Sequence, residues 1–362
     1  MVYRSNDQRP SLLTIARALG ISTSTVSNVY NKPDRVGAAT RARVLAEAAR
    51  IGYLGPDPSA RQLRRGSTDL VGLIFTDELS FAFRDQAATG FMSGLAWACG
   101  RAGKNLVLLS AGAPSQSEPR QQVALAPMDG AVVYSVADHD PAFEQVVARG
   151  LPLVVVDQPG PDARWTWVGL DEYASAKRVG EHLREFSHVD VAVITSRLSR
   201  EPRNGLAASS TDIAYRVRRE RLRGFSSVFP AEGAPSIAVH ERFESSERSG
   251  AEAFDAIWDA ARRPTAIFCL SDALALGALA RARERGVAVP QDVSIIGFDD
   301  VPAAASVGLS TMNQPLEEKG REAGAAICAL IDEPRGGRSR GTRAITLQTT
   351  LQVRSTVGPA LV

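Results

Sequence analysis

Four short, uncharged side chains near the start of the chain can donate and accept hydrogen bonds: Thr23, Ser24, Ser27 and Asn28. Their spacing places them on one face of a helix, because residues three or four apart are neighbours at a period of 3.6. A helix face that meets only water usually carries Lys and Glu instead. This composition therefore indicates a face that hydrogen-bonds to another molecule.

Two tightly joined helices must position this face. Within residues 11–31, Gly20 can take the positive φ at which a helix ends, and Ser22 is a favourable N-cap for the next helix. The apolar residues predicted to face inward are Ile15, Ala16, Leu19, Val26 and Val29. Two helices joined by so short a turn are typical of a helix-turn-helix, whose second helix enters the major groove of DNA. An ordinary helical hairpin is the alternative for this stretch alone.

Two more helices are predicted before residue 68. Residues 37–51 form an amphipathic helix with an inner face of Val44, Leu45, Ala48 and Ile51 and an outer face of Arg41, Arg43 and Arg50. The second helix starts at the N-cap Asp57, with Pro58 in its first turn, and ends at Gly66. Its length of about eight residues is too short for stability alone in water, so it should fold only on a partner or on DNA.

Charge is unevenly distributed along the chain. Residues 1–68 contain 11 Lys and Arg but 4 Asp and Glu, whereas the remaining residues contain 31 and 36, and the net charge is +2. A basic N-terminal segment followed by a mildly acidic remainder is typical of a nucleic-acid-binding module joined to a different unit. A length of 362 residues is enough for two or three compact units.

The sequence does not predict export or a membrane span. The first ten residues lack the apolar core of a signal peptide, and no apolar run approaches the roughly 18 residues of a transmembrane helix. Cys99, Cys269 and Cys328 each lie in apolar sequence. We expect them to be reduced core residues of a cytoplasmic protein rather than metal ligands or redox groups.

From residue 70 onward, short β-branched or leucine-rich runs alternate with amphipathic helical stretches. Buried strands are predicted at residues 70–75, 105–110, 131–135, 152–157, 189–195, 265–272 and 293–300. Helices are predicted at residues 84–102, 141–149, 174–186, 218–229, 249–261 and 273–286. This repetition predicts α/β lobes built on doubly wound parallel sheets. A break near residues 159–165 divides the stretch into two lobes, which fits a cleft-binding protein that closes by a hinge.

Carboxylates follow several of the predicted strands, at the sheet edge where ligands bind in such folds. They are Asp157, Asp272, Asp299 and Asp300, and Phe81 and Phe83 after the first strand offer an aromatic wall. Carboxylates beside an aromatic face are typical of sugar or nucleoside sites. Two alternatives to ligand binding stay open. In one, Asp272 and Asp300 cap helices or bind backbone amides. In the other, the two phenylalanines belong to the core.

Five motifs follow one another along the chain: TIARALGISTSTVSNVYN, TRARVLAEAARIGY, ARQLRRG, VSIIGFDDVP and LSTMNQP. In this order and at these spacings the chain resembles the LacI/GalR family of bacterial transcription regulators, over nearly all of its length. The resemblance implies a helix-turn-helix domain at residues 1–56, a hinge helix and linker at 57–68, and a two-lobed, type I periplasmic-binding-protein-like domain at 69–362. Three crossovers would assign residues 69–161 and 316–342 to the first lobe, and residues 162–315 and 343–362 to the second.

The resemblance also implies which residues contact DNA. Thr23, Ser24 and Asn28 occupy positions that read base edges, and an asparagine can pair bidentately with adenine. The residues implied at the DNA backbone are Ser27, Asn31 and Arg61. Leu63 matches a leucine that enters the minor groove as a wedge, or that packs against the partner's hinge helix.

In the cleft, the resemblance implies that Arg221 and Asp299 bind an effector, together with Asp157, Asp272, Phe81 and Phe83. Trp165 and Trp167 either line the cleft or pack the hinge. The chain departs from the family pattern in two places. Ser271 stands before Asp272 where many relatives have asparagine, and residues 196–219 form a longer and more basic loop. A long loop beside a cleft is often a binding loop, which puts the usual simple sugar in doubt.

The expected function is repression by a homodimer that binds a palindromic DNA operator and responds to a small effector, a sugar or related metabolite. A corepressor-dependent or activating regulator that responds to a nucleoside or purine is the alternative, and a solute-binding transport protein is a further one. No cofactor or metal is expected. The four histidines form no catalytic or metal-binding constellation, and the phosphate-binding pattern GxxxxGK[ST] is absent, so an enzyme is not predicted.

Overall fold

The computed structural model describes residues 10–55, 66–75, 79–111, 123, 125–208, 212–229, 237–333 and 341–360. The internal contacts of the chain divide it into two units, Met1–Thr68 and Asp69–Val362.

The described part of the first unit contains three α-helices, α1 (Leu12–Leu19), α2 (Thr23–Asn31) and α3 (Ala38–Arg50), and a 3-10 helix at Pro33–Arg35. Gly20 ends α1 with a φ of 62°, the left-handed conformation that glycine adopts without strain. Ser22 begins α2, since its Oγ accepts a hydrogen bond from the backbone N–H of Thr25 at 3.0 Å. The predicted helix-turn-helix is therefore present.

The core of this unit is one apolar cluster shared by all three helices. Its buried members are Ile15, Ala16, Val26, Val29, Val44 and Ala48. Leu45 was predicted to face inward as well, and this prediction is wrong because 42% of the residue is exposed. Val44 and Ala48 lie four residues apart and define the inner face of α3, and Leu45 is rotated about 100° from Val44 around the helix axis.

The second unit contains thirteen strands among the described residues. In chain order they are β1 (Leu70–Phe75), β2 (Asn105–Ser110), β3 (Gly130–Tyr134), β4 (Leu153–Val156), β5 (Thr166–Leu170), β6 (Val191–Ser196), β7 (Gly205–Leu206), β8 (Ala238–Arg242), β9 (Ala266–Cys269), β10 (Ser294–Asp299), β11 (Ser310–Asn313), β12 (Ala344–Leu347) and β13 (Thr350–Gln352). Its described helices are α4 (Leu79–Ala82), α5 (Gln86–Arg101), α6 (Pro141–Ala148), α7 (Glu172–Glu185), α8 (Arg216–Ser226), α9 (Glu247–Trp258), α10 (Asp272–Glu284), α11 (Pro302–Ser306) and α12 (Leu316–Ile331).

The strands form two sheets, one for each lobe. The first has the order β12-β5-β4-β3-β1-β2, and all its neighbouring strands are parallel. The second has the order β13-β11-β10-β9-β6-β8-β7, with antiparallel pairs only at its two edges. Helices pack apolar faces against the sheets, as expected of doubly wound α/β lobes. The predicted fold class is confirmed.

Two of the three predicted crossovers lie elsewhere in the chain. Strand β5 pairs with β4, and β12 pairs with β5, so both belong to the first sheet. The expected boundaries near residues 159–165 and 343 are wrong for this reason. The chain leaves the first sheet after Leu170, and the stretch AITLQTTLQV is two strands that divide between the sheets, with β13 antiparallel to β11.

Close packing of α5 against α12 places α12 in the first lobe. A Cβ atom at Gly94 would lie 1.9 Å from the backbone oxygen of Glu317, and one at Gly320 would lie 2.1 Å from that of Phe91. The absence of side chains at these glycines allows the two helix backbones to touch. This contact fixes the position of Lys319, which lies on α12.

The three cysteines are buried, as predicted, and none is in a disulfide. The sulfur atoms of Cys99 and Cys328 lie 4.0 Å apart between α5 and α12. Burial raises the pKa of the Cys269 thiol, which keeps it protonated. Among the described residues, no helix combines the length and the apolar character that a membrane crossing requires.

Candidate functional site

The outer face of α2 carries the four polar side chains singled out in the sequence. Thr23 and Ser24 are exposed, and Ser27 and Asn28 are half-buried. The Ser24 hydroxyl lies 2.7 Å from that of Ser22, which fixes its rotamer at the start of the helix. Within the described part of the chain, the side chains of Thr23 and Asn28 make no hydrogen bond. Their polar groups therefore face outward, as the contact surface predicted from the sequence requires.

The other predicted DNA contacts are less fully defined. Asn31 donates from Nδ2 to the Ser27 hydroxyl at 3.1 Å, so these two residues support each other along the helix. Arg61 and Leu63 lie outside the described residues. The structure therefore places Ser27 and Asn31 on α2.

In the second unit, a cavity of about 130 Å³ lies between the two sheets, at the carboxyl ends of their strands. The first lobe contributes Phe75, Asp85, Tyr134, Ser135 and Asp157 to its lining, among others. The second lobe contributes Ser196, Arg197, Tyr215, Arg218, Arg221, Leu270 and Asp299. A larger cavity of about 380 Å³ shares Asp85, Ser245 and Asp299 with the first. This is the position at which open α/β sheets bind ligands.

Arg221 is held rigidly in this cavity by α8. Its Nε donates to Glu172 Oε2 at 2.6 Å, and its Nη1 donates to the carbonyl of Leu270 at 2.7 Å. The guanidinium carbon lies 3.4 Å from the ring centroid of Phe298. No described residue accepts a hydrogen bond from Nη2. Contacts with Glu172, Leu270 and Phe298 thus fix the orientation of the guanidinium, while its Nη2 is available to a ligand.

A buried chain of hydrogen bonds joins Asp157 to Asp299 across the lobes. Lys319 Nζ donates to both carboxylate oxygens of Asp157, at 2.9 and 3.0 Å, and to Gln314 Oε1 at 2.5 Å. Gln314 Nε2 in turn donates to Asp299 Oδ1. Asp157 follows β4 and Asp299 ends β10, so the chain links the strand ends of both sheets.

Burial dominates the electrostatics of these carboxyl groups. It raises the pKa of Asp157, although the ammonium group of Lys319 opposes the rise. Burial, and next the charge of Asp272, raises the pKa of Asp299 well above its ordinary value. Both shifts favour the neutral acid of a group that would otherwise be ionised at neutral pH.

Asp272 does not line the cavity, which corrects its predicted role as an effector ligand. The residue is fully buried, with Oδ1 accepting from the Thr311 hydroxyl at 2.6 Å and Oδ2 from the backbone N–H of Val301 at 2.9 Å. Asp300 is similarly engaged, by Arg354 at 2.6 Å and by Asn313 at 3.0 Å. Asp272 thus binds a backbone amide, which is the alternative left open for it. Asp300 instead accepts from two side chains, which is neither the helix cap nor the backbone-amide contact of that alternative.

The aromatic residues are also placed differently from expectation. Phe83 is 59% exposed and lines neither cavity, so it forms neither the predicted wall nor core. The side chain of Phe81 lies outside the described structure. Trp165 and Trp167 are buried, with indole nitrogens that donate to the carbonyls of Gly160 and Asp157 at 3.2 Å. Their packing alternative is therefore the correct one.

The individual residues Ser196, Arg197, Tyr215 and Arg218 were not predicted at the site. All four belong to the long basic stretch of residues 196–219, whose length and charge were the signal for them. Lys319 and Gln314 were also missed, because a lysine in an amphipathic helix ordinarily faces water. Among the described residues, no group of three or more His, Cys, Asp or Glu could hold a metal ion.

Two family patterns match the chain. The pattern of bacterial regulatory proteins of the lacI family matches residues 11–55, which contain the helix-turn-helix. The pattern of the periplasmic binding protein-like domain matches residues 181–357.

Curated relatives match almost end to end. An HTH-type transcriptional regulator of Mycolicibacterium smegmatis is 37% identical over 97% of this chain and 97% of its own. The HTH-type transcriptional regulator Rv3575c of Mycobacterium tuberculosis is 39% identical over 91% of this chain and 92% of its own.

Solved structures give the same result. A LacI-family transcriptional regulator of Corynebacterium glutamicum superposes with a TM-score of 0.73 and 29% identity, over 98% of this chain and 100% of that one. A complex of the transcriptional regulator CelR with cellobiose has a TM-score of 0.67 and 26% identity, over 96% of this chain and 100% of that one.

Proposed function

The chain belongs to the LacI family of bacterial regulatory proteins and is a DNA-binding transcriptional regulator; from this premise we propose that it is an effector-controlled repressor. It binds a near-palindromic operator as a cytoplasmic homodimer, each protomer reading one half-site. The effector binds in the cavity between the lobes. The observation that carries the proposal is the outward-facing polar surface of α2, on the same chain as a cavity bounded by two sheets.

At the operator, Thr23, Ser24 and Asn28 contact base edges in the major groove. The Asn28 amide suits adenine, where its oxygen and nitrogen can both bond. The backbone contacts, which set the register without reading sequence, are made by Ser27, Asn31 and Arg61. Leu63, a match to the leucine with which the family enters the minor groove, inserts there and kinks the DNA.

In the cavity, Arg221, Asp157 and Asp299 bind the effector. Arg221 offers its Nη2 group, and its other nitrogens are already fixed by Glu172 and Leu270. A carbohydrate is the favoured ligand class because a solved structural relative, CelR, is a complex with cellobiose. Effector binding draws the lobes together and changes the spacing of the two DNA-binding segments of the dimer. A coupling of about 1–3 kcal/mol between the sites would change operator affinity by roughly 5- to 150-fold.

Selection from random double-stranded DNA tests the proposal. The full-length chain should enrich one near-palindromic site, and its affinity should fall steeply as salt rises. The matched control is the second unit alone, residues 69–362, which should enrich no DNA site. Failure of the full-length chain to enrich a site would contradict the proposal, as would equal enrichment by the shortened chain.

A further inference from the structure

We propose that residues 197–208 and 212–219, here called the strap, fasten the second lobe to the first and so set how readily the effector cavity opens. The inference rests on the proposed function, because it assigns a regulation to the cavity in which the effector binds. The strap follows β6 of the second sheet and ends in the first turn of α8. Its partners lie in two segments of the first lobe, one after β3 and one after β4.

The strap is firmly attached to its own lobe. The N–H of Leu198 donates to Glu241 Oε1 at 2.7 Å, and the carbonyl of Leu198 accepts from the N–H of Ala214 at 2.8 Å. Leu206 of β7 pairs with His240 of β8 at the edge of the second sheet. The strap therefore moves with the second lobe, and any bond from the strap to the first lobe resists separation of the two.

The first interlobe contact is made with Asp138, which lies beyond β3. Arg219 Nη1 donates to Asp138 Oδ2 at 2.8 Å, and Arg200 Nη2 donates to the carbonyl of Asp138 at 3.1 Å. The N–H of Asp138 donates to the carbonyl of Ala214 at 2.8 Å. Arg200 also lies 3.9 Å from the carboxylate of Asp140. The strap thus binds the N–H, the carbonyl and the carboxylate of one residue of the first lobe.

The second interlobe contact is made with the segment after β4. The N–H of Val217 donates to Gln158 Oε1 at 2.9 Å, and Gln158 Nε2 donates to the Ser135 hydroxyl of its own lobe at 3.1 Å. Gln158 is fully buried, so water does not compete for these bonds. Arg216 Nη1 donates to the carbonyl of Asp157 at 3.3 Å. Separation of the lobes breaks both bonds from the strap.

These contacts have a consequence for effector binding. Each of them joins one protein group to another, so none depends on a bound ligand. Together they lower the free energy of the closed arrangement of the lobes relative to an open one. When a ligand binds only one conformation, its apparent affinity falls in proportion to the population of that conformation. The strap therefore raises the sensitivity to the effector by keeping the closed lobes populated.

Pulsed electron–electron double resonance on the full-length protein tests this inference. Spin labels attached through Ala148→Cys and Ser226→Cys report the separation of the lobes, because these exposed residues end α6 and α8. The three native cysteines are buried and should not react with the label. Labelled protein is mixed with a large excess of unlabelled protein, so that distances within one protomer dominate. With the strap intact, the short distance of the closed lobes should predominate.

Strap variants should shift this distribution towards longer distances. Arg219→Gln should raise the ratio of open to closed lobes about two- to fivefold, as expected for a partly exposed ion pair, and adding Arg200→Gln should raise it further. Asp138→Asn combined with Arg219→Gln should add little to either change alone, because both remove the same pair. Arg223→Gln is the matched control, since Arg223 is exposed on the same helix and pairs with Glu220 of its own lobe at 2.9 Å.

The outcomes separate this inference from the proposed function. Equal distance distributions in wild type and in the Arg200→Gln, Arg219→Gln double variant contradict the role of the strap. So does an equal shift in Arg223→Gln. Neither result bears on the repressor, because the sample contains no operator and no effector. Failure of the wild-type chain to select DNA contradicts the repressor instead.

Discussion

Lys319 and Asp157 form a buried ion pair in which one ammonium group donates to both carboxylate oxygens, at 2.9 and 3.0 Å. Lys319 is fully buried and comes from α12, which enters the first lobe after the second crossover. Asp157 follows β4 with a φ of 64°. Because Lys319 also reaches Gln314, the pair anchors the connection between the lobes beside the cavity.

Replacing Lys319 by Met should destabilise the protein by about 3–5 kcal/mol, because the Asp157 carboxylate would remain buried without its partner. Urea unfolding measures the change. Lys177→Met is the control, since the exposed Lys177 lies 3.7 Å from Glu181, and it should change stability by less than about 0.5 kcal/mol. The double variant with Asp157→Asn should recover part of the loss. A Lys319→Met variant as stable as Lys177→Met would show that the ion pair between Lys319 and Asp157 contributes nothing to stability.

Asp272 should make stability depend on pH between about 4 and 6. Burial raises its pKa from 3.8 to about 6, so the folded protein binds more protons than the unfolded chain in this window. The stabilisation is fully present below pH 3.8 and is lost as the pH rises towards 6. It amounts to about 3 kcal/mol by linkage.

The Asp272→Asn variant tests this pH dependence. An asparagine can still accept from the N–H of Val301 and donate to the Thr311 hydroxyl, so the fold should persist. The decline in the free energy of unfolding between pH 4 and 6 should become shallower. The remainder is due to Asp157 and Asp299, whose pKa values are shifted in the same direction. An unchanged slope would exclude titration of Asp272 in this range.

Gly94→Ala should destabilise the first lobe by about 2–3 kcal/mol or more, because the added methyl group would overlap the backbone oxygen of Glu317. Gly100→Ala is the control on the same helix, where nothing lies within 4 Å of the added atom. This change should be neutral or stabilising by up to about 1 kcal/mol, since alanine favours a helix over glycine. Thermal unfolding of both variants gives the comparison, and equal stabilities would contradict the close helix contact.

The helix-turn-helix could be predicted from the sequence because its signals are local. Ser22, Gly20 and the apolar period of α1 and α2 act within a few residues. The boundary between the lobes could not be predicted in the same way. Strand β5 takes its place from pairing with β12, which lies more than 170 residues later in the chain. Such long-range pairing leaves no pattern in either segment alone.

The candidate site was predicted in part for a similar reason. Asp157 and Asp299 were predicted at the site because each follows or ends a strand, and both line the cavity, as does Arg221. The same reasoning failed for Asp272, whose side chain points to Val301 and Thr311. The end of a strand fixes where a residue lies but not where its side chain points.

Base-by-base binding measurements on the selected operator test most directly whether α2 reads DNA. The dissociation constant of the full-length chain would be measured for the site and for each single-base-pair variant, with wild type and with Asn28→Ala. The variant should lose about 1–3 kcal/mol of discrimination at one position in each half-site and keep its affinity for unrelated DNA. An unaltered profile of base preferences in Asn28→Ala would contradict the assignment of this residue to base recognition.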